Sequence, residues 1–288
     1  MIYEIEKWHV KRILKKSILE SDGIINIHRL NTSNSGDLKC APYHYFPKLN
    51  KFAKIDILGY LGSDLRMIKR WTKSVLHNDI VLGGGGLFDR DSFLHSIDMM
   101  KLLLSKGRKI VPWGVGHNHP SLKVSKQYYK QINDFKLIGL RDYGIKVGEW
   151  VPCVSCMDNI FDKDFNQKFE VGIIQHETFK LEKTESLEVP MLSNNVSFDE
   201  MISFIGSLET LITNSYHAMY WAMLMRRKVI VIPNSSKMSS FKYQSPLCSD
   251  IEEYKSYMNQ TFVVEGLLEE CRELNLKFSV KVFEYLNI

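Results

Sequence analysis

Chemistry is concentrated where short apolar runs end. The stretch Thr213-Asn214-Ser215-Tyr216-His217 follows an apolar run at 210–213 and opens a helix-like segment at 216–226. A strand-to-helix junction of this kind exposes free N–H groups at the positive end of the helix, which favours an anion. His217 beside those groups can serve as a general acid. The competing reading makes Ser215 a helix cap and His217 a packing residue.

Other candidates sit at equivalent positions. In Asn34-Ser35-Gly36-Asp37, Asp37 can bind an acceptor hydroxyl or act as a base, or it can cap the helix that follows. The run Gly83, Gly84, Gly85, Gly86 lets backbone approach a ligand and offers N–H groups to an anion, but it is neither a dinucleotide fingerprint nor a Walker loop. Trp113-Gly114-Val115-Gly116-His117-Asn118 again clears space with Gly114 and Gly116 and offers His117 and Asn118. Arg141 ends the apolar run 137–141 and suits a carboxylate or phosphate, unless it pairs with Asp142. His176 follows the predicted strand 169–175 and reads otherwise as a polar loop residue. Cys153-x-x-Cys156 has no second pair to complete a zinc site, so it reads as two structural thiols, and no metal-ligand cluster appears.

These residues need a scaffold that ends many strands at one surface. Predicted strands at 24–30, 55–60, 79–82, 109–115 and 137–141 alternate with predicted helices at 64–76, 91–105 and 121–133. The alternation resumes with strands at 169–175, 189–192, 210–213 and 229–232, and helices at 198–207 and 216–226. Short apolar strands separated by helices predict parallel sheets covered on both faces, an α/β fold. The polar stretch 151–168 reads as a connection between an N-terminal domain, 1–160, and a C-terminal domain, 161–288. Two such domains imply a cleft, with ligands at the carboxyl ends of the strands. The tail 251–288 reads as mainly helical, with its last helix packing back on the first domain.

Composition sets limits. The 288 residues are 44% hydrophobic and 25% charged, ordinary for a globular protein with a sizeable core. A net charge of +5, without a Lys/Arg block interleaved with aromatics, argues against nucleic acid. Five irregularly spaced cysteines read as reduced thiols in a cytoplasm. Residues 1–16 are charged and lack the apolar core of a secretory signal, and no apolar run reaches the roughly 20 residues of a membrane span. Residues 4–19 read as an amphipathic helix with a basic outer face.

With these residues in view, the chain resembles the polysaccharide pyruvyl transferase family from about residue 34 to residue 233. Five elements occur in the family's order: Asn34-x-Gly36-Asp37, Gly83 to Gly86 with Leu87-Phe88, Trp113-Gly114-Val115-Gly116, Arg141-Asp142, and Ser215-Tyr216-His217. The resemblance implies a GT-B-like fold, two Rossmann-like domains facing a cleft, with the donor on the C-terminal side. It implies transfer from phosphoenolpyruvate to a sugar or lipid-linked oligosaccharide to form a ketal, without cofactor or metal. His217 then maps to the general acid, with Asp37 as base. Arg141, Asn214, Ser215, Lys237 and Lys242 would contact the donor. A lipid-linked acceptor would let the basic 4–19 segment touch the inner face of the membrane, the competing and favoured reading being a solvated face. Tyr143-Gly144 after Arg141-Asp142, and the lack of an arginine beside His217, depart from the family's pattern. Two other readings stay open: a nucleotide-sugar glycosyltransferase, with Glu200 or Glu209 on the ribose, and a non-catalytic binding protein.

Overall fold

The computed structural model describes residues 21–61, 64–184 and 187–288, together with Arg12. The predicted helix at 4–19, and the membrane contact tied to it, lie outside the described residues apart from Arg12, which is helical.

The first sheet joins β1 (Gly23–His28), β2 (Ala53–Asp56), β3 (Asn78–Leu82), β4 (Gly85–Phe88), β5 (Ile110–His117), β6 (Gly139–Leu140) and β7 (Glu149–Trp150). Its order is β2-β1-β3-β5-β6-β7, with β4 also on β5, and every pairing is parallel. The second sheet holds β8 (Phe169–Gln175), β9 (Met191–Ser193), β10 (Leu208–Thr213) and β11 (Lys228–Val231), in the parallel order β11-β10-β8-β9. Parallel strands have both faces covered, and their apolar residues show it: Ile27, Ile80, Leu82, Ile173, Leu211 and Ile230 are fully buried. The α/β expectation of two parallel-sheet, Rossmann-like units therefore holds.

The helices that matter for the site are α1 (Ser35–Lys39), α2 (Leu65–His77), α3 (Leu94–Leu104), α4 (Lys126–Ile132), α5 (Phe198–Gly206), α6 (Tyr216–Leu224) and α7 (Leu267–Leu286). Side-chain caps start several of them: Asn34 for α1, Asp64 for α2, Ser125 for α4 and Ser197 for α5. Helix α6 is buried all round, from Tyr216 to Leu224, so it lies inside the second unit rather than on its surface.

Helix α7 connects the two cores. Leu267 and Cys271 pack with the α5–α6 cluster, whereas Phe278, Val282 and Leu286 pack with Ile24, Val111 and Trp113 of the first sheet. Between them, Asn275 accepts from Trp113 Nε1 at 2.8 Å and donates to Pro152 O at 3.2 Å.

Several boundaries differ from the sequence expectation. The strand expected at 55–60 ends at Asp56, and residues 59–61 form a 3-10 turn. The glycine run is not simply a loop: Gly85 and Gly86 open β4. Strand β5 does not stop at its glycines. It runs on to His117, with a register irregularity between Trp113 and Val115 where Gly114 takes φ +66°. Among the described residues, no helix is long and apolar enough to cross a membrane.

Candidate active site

The carboxyl ends of both sheets meet at a cavity of about 220 Å3. The first half contributes Asn34, Asp37, Gly86, Arg90, Asn118 and Arg141; the second contributes His176, Glu177, Asn194, Ser215, Tyr216, His217 and Lys237. That volume falls below the usual range for drug-sized ligands and suits a small, compact one.

His217 is the second residue of α6, directly after Ser215 and Tyr216. Ser215 is the residue before the helix, but its side chain makes no cap bond; its N–H donates to Thr213 Oγ1 at 2.9 Å instead. The first N–H groups of α6 therefore lack both intrahelical partners and a side-chain cap. The His217 ring is buried against Trp221, with centroids 5.5 Å apart, and its Nε2 lies 3.6 Å from Cys153 Sγ. Burial first, and then the charges of Arg141 and Lys237, hold its pKa well below the usual histidine value. These surroundings favour the neutral ring.

Gly36 makes room for that ring. A Cβ there would fall 2.0 Å from His217 Nδ1. Asn34 accepts from Gly36 N at 3.0 Å, and Ser35 Oγ donates to Val196 O at 2.5 Å, so α1 is fastened to the second unit across the cleft. Asp37, in the same turn, is half-buried. Burial raises its pKa, opposed by Lys237, Arg141 and Arg29.

Arg141 is fully buried at the end of β6. Its guanidinium lies 4.0 Å from the Tyr216 ring centroid, and Nη2 donates to His117 O at 3.5 Å, while Nε has no partner. Gly116 allows this: a Cβ there would meet Arg141 Nε at 2.7 Å. Among the described residues, none of Arg90, Arg141 and Lys237 is in an ion pair. Lys237 is pushed down to about 8, by burial and then by Arg141. His176 is pushed down to about 4 by burial, Lys237 and Arg90. Among the described residues, Arg90, Arg141 and Lys237 thus form no ion pair with a carboxylate, although Asp37 and Glu177 also line the cavity.

Asn214 holds the second half of the rim without lining the cavity. It accepts from His176 N at 2.6 Å and donates to Phe179 O at 2.7 Å, and its own carbonyl accepts from Asn234 Nδ2 at 2.9 Å. Asn194 Oδ1 accepts from Glu177 N at 2.7 Å, and its Nδ2 donates to Ser215 Oγ at 3.4 Å.

Besides Asn214, which was expected at the donor and does not line the cavity, three expectations need correction. His117 does not enter the cavity: it is buried in β5, its Nδ1 hydrogen-bonded with Ser236 Oγ at 2.7 Å. Ser236 Oγ in turn accepts from His119 N at 2.9 Å, so His117 anchors the loop that presents Lys237. Lys242 lies outside the cavity, ion-paired with Glu270 and 5.2 Å from the Trp150 ring. Of the glycines, Gly86 lines the cavity, whereas Gly84, Gly85, Gly114 and Gly116 do not; Gly84 lets backbone pack, its absent Cβ facing Gly114 O at 2.9 Å. The sequence reading missed Arg90, Glu177 and Asn194. Each follows β4, β8 or β9 by one or two residues, the position that selected the other candidates.

Comparisons with known proteins agree with this picture at the level of fold and family. Residues 155–236 match the family model described as polysaccharide pyruvyl transferase. No curated protein matches the sequence. The fold is similar to UDP-GlcNAc 2-epimerase from Methanocaldococcus jannaschii, solved in complex with UDP-GlcNAc and UDP: TM-score 0.54, 11% identity, 93% of this chain and 99% of that one. An alpha-glucosyltransferase in complex with UDP matches over 94% of this chain and 95% of that one at 9% identity, but its TM-score of 0.41 is too low to bear on the fold. Residues 155–236, which carry His176, Glu177, Asn194, Ser215 and His217, are thus a match to the polysaccharide pyruvyl transferase family, set in a GT-B-like α/β fold.

Proposed function

We propose that this protein is a pyruvyl transferase that moves the enolpyruvyl group of phosphoenolpyruvate onto a pair of sugar hydroxyls, forming a pyruvate ketal in polysaccharide synthesis. One observation carries the reading. Arg90, Arg141 and Lys237 surround a small cavity without ion-pair partners among the described residues, and His217 and Asp37 share that cavity. A compact ligand with a phosphate and a carboxylate would supply the missing negative charge.

The chemistry then divides among these groups. The donor's charges offset Arg141 and Lys237, so His217 gains a second proton when the donor binds. The imidazolium delivers a proton to the methylene carbon, and positive charge develops on the carbon that bears the phosphate oxygen. A sugar hydroxyl adds there and gives its proton to Asp37. The carbon–oxygen bond to phosphate then breaks, and the second hydroxyl closes the ketal. The hydroxyls lose two protons: one replaces the proton given to the methylene carbon, and the other leaves with phosphate. The cations hold phosphate as its charge grows, the electrostatic contribution that usually dominates catalysis.

A nucleotide-sugar donor is the alternative, and the similarity to UDP-GlcNAc 2-epimerase concerns the fold alone. The two carboxylates expected for a ribose do not line the cavity: Glu209 pairs with Lys228 at 2.8 Å, and Glu200 is exposed in the first turn of α5. Thermal unfolding with phosphoenolpyruvate or UDP separates the readings. Ligand at 100 times its Kd stabilises by about 2.7 kcal/mol. Phosphoenolpyruvate raising Tm while UDP does not supports pyruvyl transfer, and the reverse supports the nucleotide-sugar reading. Phosphate release with a sugar acceptor then distinguishes an enzyme from a binding protein.

A further inference from the structure

A line of buried side chains behind His217 fixes where its hydrogen sits. Trp221 Nε1 lies 2.9 Å from Ser155 Oγ, and an indole N–H can only donate, so Ser155 accepts. Ser155 is fully buried, and its own hydroxyl hydrogen needs an acceptor. Cys153 Sγ, 3.2 Å away, is the acceptor in reach among the described residues. That bond leaves the thiol hydrogen free for the next atom, His217 Nε2, at 3.6 Å. Nε2 accepts, so the neutral ring carries its hydrogen on Nδ1.

Nδ1 lies on the opposite side of the ring, in the space that the missing side chain of Gly36 leaves for it. It has no hydrogen-bond partner among the described residues, yet it is not one of the sealed polar atoms, and His217 lines the cavity. The exposed nitrogen is the one that holds the hydrogen.

We propose that Cys153 is a positioning residue for His217, its thiol occupying Nε2 so that Nδ1 delivers the proton into the cavity. The function of this arrangement rests on the reading of His217 as the proton donor. A thiol suits the place better than a carboxylate would. A carboxylate would hold the hydrogen on Nε2 and bring a buried negative charge. Burial pushes the Cys153 thiol up, so it stays neutral. It donates to Nε2 of the neutral ring and so leaves that ring's hydrogen on Nδ1, which faces Gly36. Tyr220 Oη donates to Cys153 O at 2.9 Å and holds the cysteine in place.

Nitrogen NMR of the full chain labelled with 15N-histidine tests this directly. The chain has nine histidines, and loss of one signal in His217→Gln identifies the ring. The free protein at pH 7.5 is expected to show hydrogen on Nδ1 and a bare Nε2; hydrogen on Nε2 would overturn the proposal. In Cys153→Ala the preference for Nδ1–H is expected to vanish, and kcat to fall on the order of 10- to 100-fold. Cys153→Ser, which keeps a donor, is expected to recover the Nδ1–H form and part of the rate. An unchanged tautomer in Cys153→Ala would also overturn it. Should Cys153→Ala fail to fold, the wild-type spectrum decides alone. The tautomer is read without donor or turnover, so its failure is distinct from a failure of pyruvyl transfer.

Discussion

Gly36 and His217 come from opposite halves of the molecule, and the missing side chain of one is the space for the ring of the other. A Cβ on Gly36 would stand 2.0 Å from Nδ1, 2.4 Å from Cγ and 2.9 Å from Cβ of His217. The ring cannot yield easily, because Trp221 and Cys153 back it on the far side.

Gly36→Ala is therefore expected to displace the imidazole while leaving the fold intact. Alanine is the better helix former in α1, so stability should not drop through backbone propensity. A displacement near 1 Å is enough to cost about 100-fold in rate. The check is kcat for phosphate release beside a circular-dichroism melt. A variant that melts normally and turns over at the wild-type rate would refute the contact's importance.

Arg141→Lys is expected to fail as a conservative change. The guanidinium stacks on Tyr216 at 4.0 Å while it reaches His117 O, and an ammonium cannot satisfy both with a flat face. KM for phosphoenolpyruvate should rise on the order of 10- to 100-fold, with a smaller change in kcat. Steady-state kinetics at fixed acceptor give the split.

Donor affinity should weaken as pH rises through about 8. Lys237 is held down to about 8 by burial and by Arg141, so its charge is present below that pH and lost above it. A bound anion favours the charged form, so binding above pH 8 takes up a proton. Calorimetry in two buffers of different ionisation heat measures that uptake, and Lys237→Met is expected to reduce it to the proton that His217 gains on donor binding.

Acid should destabilise the empty protein earlier than carboxylate titration alone would. His28 is buried at the end of β1 and pushed down to about 4, chiefly by burial, and His176 is pushed down to about 4 as well. The unfolded chain takes up these protons near pH 6.5 and the folded one does not. Stability is complete above 6.5 and is lost as pH falls from 6.5 toward 4. His28 alone would contribute on the order of 3 kcal/mol across that window. Urea titrations at several pH values give the slope, which His28→Gln should flatten.

Much of this site was legible from where apolar runs stop. Asp37, His176, Ser215 and His217 follow predicted strands, Arg141 ends one, and all five reach one cavity. Arg90 was hidden because Gly85-Gly86-Leu87-Phe88 has too little β propensity to read as a strand; β4 forms through its partners on β5. Asn194 was hidden behind β9, three residues long. His117 was misplaced for the opposite reason. Gly114 and Gly116 read as a strand's end, but a strand can pass through glycines when it bulges, and β5 does so at Gly114. Lys242 looked available because nothing in its neighbourhood reveals Glu270, 28 residues away. The pairing of Cys153 with His217 spans 64 residues, and no local pattern announces it.

Helix α7 also constrains how the molecule can move. It is 20 residues long, about 30 Å, with one end seated in each core. The chain therefore bridges the cleft twice, once through 151–168 and once through this splint. Pulling the halves straight apart would strip Phe278, Val282 and Leu286 from the first sheet. Rocking about the splint leaves them seated, so a change in the cleft that keeps both cores intact is a tilt on a braced axle rather than a jaw-like gape.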